Sequence, residues 1–280
     1  MAINIRQDLT LYEPDRDFTD TFLIPPSDHE WHEPFVNKFL EELELKDWGR
    51  RKLFDNSLIG SGLGSSASLA VALVGAANKI KRLDMTRSEI AEKAWEIETQ
   101  KLSLYGGKQD QYAAVYGGLN AIDFGDKVKV IQLSNKLVEP LLPSLALFHT
   151  GIKRTKPNIQ QGLHLITPEQ KQRLDDIKLL TIKACSALMD GRIKDFGELM
   201  NESWQAKKNS NKFVTNPDIN KIFSKAKKIG AWGGKLCGSG GGGCVLFVVD
   251  PLKREEFIKN IGLKHIDFSV DWTGLDVREL

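Results

Sequence analysis

The sequence predicts an α+β protein in two lobes. Strand-period and helix-period segments follow one another in mixed order. The chain's 280 residues leave room for one large domain or two modest ones, each with its own core. Composition agrees with a folded protein: 27% of the residues are charged and 41% are hydrophobic, both ordinary values.

The elements read in order as follows. In INIRQDLTLY, Ile3, Ile5, Leu9 and Leu11 alternate with polar residues, which predicts a half-buried strand. FTDTFLI predicts a second strand before the break at Pro25 and Pro26. From Glu33 to Leu45 the period changes, and Phe35, Val36, Phe39 and Leu40 predict a helix. RKLFDNSLIGSGLGSSASLAVALVGAANKIKRL then places a glycine-rich turn before a helix that is apolar on most sides, so that helix should be buried.

Thr86 with Glu89 forms a capping-box signature for a helix running to about Leu102. Tyr105, Gly106 and Gly107 break the chain before a short helix in QDQYAAVYG, and LNAIDFG with KVKVIQL predicts a hairpin. LPSLALFHTGIKR reads as a buried strand ending in a glycine turn. The boundary between lobes is expected near Pro143, giving lobes of 1–142 and 143–280. Three helices are expected at Pro168 to Met189, Ile193 to Lys207 and Pro217 to Lys228. After them GAWGGKLCGSGGGGCVLFVVD reads as a glycine-rich loop flowing into a strand, and a last helix and strand close the chain.

Several function classes recede on composition. The formal net charge of +2 argues for neither nucleic acid nor an anionic membrane. The short basic clusters Lys79 to Arg82 and Ser224 to Lys228 read as wet helix faces or C-terminal turns. Cys185, Cys237 and Cys244 are odd in number and lack zinc-ligand spacing, which predicts reduced thiols and a cytoplasmic location. MAINIRQDLTLY has no signal-peptide design, and no apolar run approaches the ~18 residues of a spanning helix.

Three segments carry chemistry. Gly60-Ser61-Gly62-Leu63-Gly64-Ser65-Ser66-Ala67-Ser68 stands directly before the buried helix. Glycines let backbone N–H groups approach a ligand, and the helix N-terminus adds partial positive charge, so the segment suits a polyphosphate. Serine hydroxyls there can bond phosphate oxygens or ligate Mg²⁺. No Gly-Lys-Ser/Thr follows, which excludes the Walker pattern. The Rossmann fingerprint would need a preceding strand and an acidic residue about twenty positions on. A helix N-cap that simply uses serine is the plainer alternative.

Gly238-Ser239-Gly240-Gly241-Gly242-Gly243 is the second segment. So many glycines cost backbone entropy, and a loop pressed against another backbone or a phosphate explains them better than a linker does. The third is the pair Glu98 and Asp110. Taken alone, Glu98 reads as a solvated residue near a helix end and Asp110 as an N-cap. Beside a phosphate loop, one carboxylate can hold Mg²⁺ and the other can orient or deprotonate an attacking hydroxyl.

In combination these segments resemble the GHMP kinases. GSGLGSSAS resembles the family's second motif, KLCGSGGGGCVLFVV its third, and GGKQDQYAAVYGGLNAIDF the stretch that carries the catalytic aspartate in its sugar-1-kinases. The likeness is greatest to the D-glycero-D-manno-heptose 7-phosphate kinase and fucokinase branch, and HTGIKR resembles the strand that opens the second lobe there.

The resemblance implies a ribosomal-S5-like first lobe, a ferredoxin-like second lobe, and ATP with Mg²⁺ as cofactors. It implies nucleotide contacts from Gly60, Gly62, Leu63, Gly64, Ser65, Ser66 and Ala67, with Gly238, Ser239, Gly240 and Gly241 bracing them. Ser66 and Glu98 would hold the metal, and Asp110 would meet the sugar hydroxyl. Lys108 and Arg154 would bind a substrate phosphate, with a surface role standing beside that reading.

Two departures accompany the likeness. The family's opening Arg-x-Pro-x-Arg strand and Gly-Gly-Gly-Thr-Asp loop has no counterpart here, so Met1 reads as an internal position of a truncated, start-misassigned or variant chain. Ile59 stands where proline is usual. The expected function is ATP-dependent phosphorylation of the anomeric hydroxyl of a sugar or sugar phosphate, with heptose 7-phosphate leading. Fucose or another hexose, and a non-catalytic nucleotide-binding protein, are the alternatives. The expected partner is a small-molecule sugar, not nucleic acid or membrane; a homodimer is left open.

Overall fold

A computed structural model describes residues 7–12, 32–48, 50–55, 60–104, 106–153 and 167–278. The described chain falls into two compact units. One takes the described residues of Met1–Ser57, Gly64–Gln132 and Ser269–Leu280; the other takes those of Leu58–Leu63 and Leu133–Phe268. The units are therefore not consecutive stretches of sequence. Leu58–Leu63 belongs with the second unit, and the chain's last segment returns to the first, whereas the sequence alone suggested a single cut near Pro143.

In the first unit, strand β1 (Gln7–Tyr12) pairs antiparallel with β2 (Arg50–Asp55), Gln7 opposite Asp55 and Tyr12 opposite Arg50. β2 was not expected from RRKLFD, where basic residues interrupt any apolar alternation. The FTDTFLI strand lies outside the described residues. Helix α1 (His32–Glu42) buries Phe35, Val36, Phe39 and Leu40, the residues whose spacing predicts it. They pack with α2 (Ser65–Lys81), which buries Ala67, Leu69, Ala70, Val71, Leu73, Val74 and Ala77 and is apolar nearly all round, as expected.

Helix α3 (Arg87–Glu96) opens with the full capping box. The Glu89 backbone N–H donates to the Thr86 hydroxyl, and the Thr86 N–H donates to the Glu89 carboxylate. The helical stretch runs to Lys101, as expected, but not as α-helix throughout. It passes at Ile97 into a five-residue π turn, Ile97–Lys101, a widening that no residue-type pattern announces. Helix α4 (Gln109–Tyr116) and the hairpin β3 (Leu119–Phe124) with β4 (Val128–Leu133) complete the expected order.

The closing segment explains its own placement. The Gly118 N–H donates to the Asp271 carbonyl and the Leu275 N–H to the Val115 carbonyl. A Cβ on Gly75 in α2 would lie 2.9 Å from a terminal methyl of Leu275, so that side chain packs directly over the glycine. Leu275 is thus set into the α2 surface.

The second unit holds one antiparallel four-stranded sheet. Its strands are β5 (Leu145–His149), β6 (Ala231–Leu236), β7 (Cys244–Val249) and β8 (Lys264–Ile266), in the order β6-β7-β5-β8. Helix α5 (Asn135–Val138) precedes β5, and α6 (Pro168–Met189), α7 (Ile193–Ser210) and α8 (Pro217–Lys228) form the crossover from β5 to β6. Helix α9 (Arg254–Ile261) joins β7 to β8. This is the split β-α-β-β-α-β order of ferredoxin-like folds, with three helices in the first crossover.

β6 corrects the expectation that GAWGGKL is loop. Its glycines are strand residues under close approach: a Cβ on Gly233 would lie 1.7 Å from the Gly197 carbonyl of α7, and one on Gly234 would lie 2.4 Å from the Phe247 ring. Trp204, Phe148, Phe247 and Phe257 fill the core against this sheet. No described helix is long and apolar enough to cross a membrane.

Candidate active site

The glycine-serine segment crosses from the second unit to the first, and its two halves are held differently. In the first unit Gly64 is the N-cap of α2, in left-handed backbone (φ 83°), with no side-chain cap bond. The serine-cap alternative is thereby removed. The N–H groups of the first turn lie at the positive end of a 17-residue helix whose first turn carries no acidic side chain.

Asp110 stands against this turn. A Cβ placed on Gly64 would lie 3.5 Å from the Asp110 Cβ, ordinary van der Waals contact, so Asp110 packs on the turn while the left-handed backbone is what calls for glycine. Asp110 lies in the first turn of α4 rather than at its N-cap, which is Lys108. The helix N-terminus favours its negative charge.

Glu98 is buried, not solvated. The π turn carries it inward, to 6% exposure. Its carboxylate accepts a 2.7 Å hydrogen bond from the Gln111 amide and another from the Ser66 hydroxyl. Burial raises its pKa above the ordinary carboxylate range; the two hydrogen bonds pull it down, and the nearby Asp110 charge pushes it up again. Ser66, Glu98, Asp110 and Gly64 therefore form one cluster.

Gln111 belongs to it and was missed in the sequence. It is 4% exposed, and its Oε1 is buried with no partner among the described residues. The only available signal was its place beside Asp110 on a helix whose Tyr112 and Val115 also face inward. A serine hydroxyl, a carboxylate and an unpaired amide oxygen are the hard donors that Mg²⁺ prefers. Among the described residues no group of three or more His, Cys, Asp or Glu could cage a metal. A metal held mainly by substrate phosphates needs only one or two protein carboxylates. The donor set fits such an ion.

Lys108 is engaged elsewhere in the same unit. Its ammonium lies 2.7 and 3.0 Å from the two Glu92 oxygens and 5.2 Å above the Trp95 ring. The Tyr112 hydroxyl also donates to Glu92, at 2.7 Å, and burial is the main cause that pushes the phenol up to about 12. An anion reaching Lys108 would have to share it with Glu92. Arg154 lies outside the described residues.

In the second unit, Gly60 to Leu63 rests on the loop between β6 and β7, backbone against backbone. The Cys244 N–H donates to the Ser61 carbonyl at 2.7 Å, and the Cys237 N–H to the Cys244 carbonyl at 2.8 Å. A Cβ on Gly62 (φ 77°) would lie 2.7 Å from the Cys237 carbonyl, and one on Gly243 (φ 89°) would lie 2.4 Å from the Ser61 carbonyl. Gly241 donates to the Val214 carbonyl, and the Thr150 hydroxyl to the Gly243 carbonyl at 2.6 Å. The Lys207 ammonium, also absent from the sequence expectations, donates to the Gly238 carbonyl at 2.7 Å. The entropy spent on these glycines is explained by contact distances that no side chain would permit.

Comparison with known proteins follows the same division. The GHMP kinases N terminal domain matches residues 36–118, and the GHMP kinases C terminal domain matches residues 182–265. The chain belongs to the GHMP kinase family. It is 34% identical to the D-glycero-alpha-D-manno-heptose 7-phosphate kinase of Campylobacter jejuni over 206 residues, which is 71% of this chain and 61% of that protein. It thus spans about three fifths of that relative's length. A Campylobacter jejuni crystal structure described as a sugar kinase is 32% identical, with a TM-score of 0.62 over 80% of this chain and 67% of the other. A D-glycero-D-manno-heptose 1-phosphate kinase from Bacteriodes thetaiotaomicron shares the fold at 23% identity, with a TM-score of 0.68 over 99% of this chain and 89% of that one.

Proposed function

We propose that the chain transfers the γ-phosphoryl group of ATP to the anomeric hydroxyl of a sugar phosphate, with D-glycero-D-manno-heptose 7-phosphate as the leading acceptor. The observation that carries this reading is the packing of Asp110 on Gly64, at the head of α2, beside Ser66 and Glu98. A carboxylate at the edge of an anion-binding turn is placed to meet the nucleophile of a phosphoryl transfer. The acceptor is suggested by the Campylobacter jejuni heptose kinase, 34% identical to this chain.

The N–H groups after Gly64 and the Ser65 and Ser66 hydroxyls would hold the polyphosphate. Asp110 would orient the acceptor hydroxyl and take its proton as that oxygen bonds to the γ-phosphorus and ADP leaves. Ser66, Glu98 and the Gln111 amide oxygen would hold Mg²⁺, directly or through its waters; bound there, the ion would neutralise phosphate charge. Much of the expected acceleration is positioning, so the protein needs no covalent intermediate.

The test is ADP release from Mg-ATP with heptose 7-phosphate, fucose, mannose and galactose. Saturable release with heptose 7-phosphate is expected. Release with a neutral sugar alone would replace the acceptor. Silence across the panel in a protein that ATP still stabilises against heat would leave a nucleotide binder and end the kinase reading.

A further inference from the structure

Helix α4 does little by itself to fix where Asp110 stands. It is eight residues long, its N-cap Lys108 makes no side-chain cap bond, and Gly106 and Gly107 precede it. A Cβ on Gly107 would meet nothing within 4 Å, so close packing of that residue does not set the entry of the chain. A helix this short depends on its neighbours for stability and for its rotation about its own axis.

Helix α3 supplies the hold. Ser88, Glu92 and Trp95 stand at i, i+4 and i+7 and so share one face. The Glu92 carboxylate accepts from the Lys108 ammonium at 2.7 and 3.0 Å and from the Tyr112 hydroxyl at 2.7 Å. With the phenol proton on Glu92, the 2.9 Å contact between Ser88 and Tyr112 is donated by the serine hydroxyl. Trp95 meets the Lys108 ammonium with its ring and donates its indole N–H to the Gly106 carbonyl at 3.0 Å. Lys108 and Tyr112 are about one turn apart, and Asp110 falls between them on the opposite side of the helix. Fastening the first two to α3 therefore turns Asp110 toward Gly64, where it packs. A partly exposed ion pair adds little to stability, so the value of this one is geometric.

We propose that Glu92 is a positioning residue for Asp110: it clamps Lys108 and Tyr112, on either side of Asp110 in the chain, and so holds the carboxylate where it meets the acceptor hydroxyl. The effect on turnover rests on the kinase reading. The clamp itself does not, because the order of the α4 backbone reports it without any substrate.

The experiment compares wild type with Glu92→Ala, Glu92→Gln, Tyr112→Phe and a control, Glu96→Ala, each first shown to melt cooperatively. Glu96 pairs with Lys93 within α3, and its loss should leave kcat unchanged. Glu92→Ala should lower kcat roughly ten- to a hundredfold with KM for ATP within about twofold. Glu92→Gln keeps an acceptor oxygen and should restore most of the loss. Tyr112→Phe frees one side of the clamp and should lower kcat several-fold; it carries the test if Glu92→Ala does not fold. In an Asp110→Asn background Glu92→Ala should cost nothing further, because Glu92 acts through Asp110. Losses that multiply in the double variant, or a Glu92→Ala kcat within about twofold of wild type, would overturn the assignment. Amide order parameters of Gln109 to Gln111, from ¹⁵N relaxation, should fall from about 0.85 toward about 0.6 in Glu92→Ala and recover in Glu92→Gln. If they fall while the wild type releases no ADP with any sugar, the kinase reading ends and the clamp stands. If they stay at the wild-type level in Glu92→Ala, the clamp is overturned whatever the kinetics.

Discussion

The two halves of the glycine-serine segment differ in what holds them. Gly60 to Leu63 is clasped by backbone: its neighbours are the peptide groups of Cys237, Gly238, Gly243 and Cys244. Gly64 to Ser68 is met by side chains, Asp110 against the turn and Glu98 on the Ser66 hydroxyl. The first half is a matter of shape, where an atom added at Gly62 collides with the Cys237 carbonyl. The second is a matter of charge, where isosteric replacements fit but alter the chemistry. Stability and activity should therefore separate along a few residues of chain.

The largest effect is expected in the charged half. Asp110→Asn keeps the shape beside Gly64 and should lower kcat by about 10² to 10⁴, with ATP affinity within about twofold. An unchanged kcat would take Asp110 out of the mechanism. Next comes the clasped half. Gly62→Ala combines a left-handed backbone with a 2.7 Å approach to a carbonyl and should cost about 3 kcal/mol or more by denaturant unfolding. Gly60→Ala, also left-handed (φ 69°) but with nothing within 4 Å of its Cβ, should cost only about 1–2 kcal/mol. Equal costs would show that backbone conformation, not the clasp, demands these glycines.

Glu98→Gln sharpens the comparison through pH. The folded protein holds the Glu98 carboxyl above its ordinary value of 4.5, so it binds this proton more tightly than the unfolded chain does. Its contribution is favourable at low pH and is lost as pH rises from about that ordinary value through the raised one. Removing the charge should make the metal-free protein more stable at neutral pH and less dependent on pH in that window. It should also abolish any Mg²⁺-dependent stabilisation. Lower stability of the variant at neutral pH would mean that the hydrogen bonds outweigh burial. The smallest effect lies far from both halves. Thr86→Ala removes one cap bond and should cost about 1 kcal/mol without touching kinetics.

The division also marks what the sequence could disclose. The glycine-serine turn at the head of α2 was legible because glycine and serine before a buried helix have a local physical meaning. The α1 face, the Thr86–Glu89 box and the limits of α6 and α8 were legible for the same reason. Features set by distant contacts were not. Gly233 and Gly234 look like loop residues until Gly197 and Phe247 are found against them. Glu98 looks solvated until the π turn rotates it inward. Lys207 looks like a helix-end cation until its ammonium is found on Gly238, and Leu275 gives no sign that it returns to Gly75.

The most direct test of the whole account is ³¹P NMR of a reaction containing the protein, Mg-ATP and heptose 7-phosphate. The account predicts a new phosphorus resonance coupled to the proton on the anomeric carbon, formed at the rate ADP appears and lost with Asp110→Asn. No new sugar-phosphate resonance, or ATP consumed only to ADP and free phosphate, would contradict it.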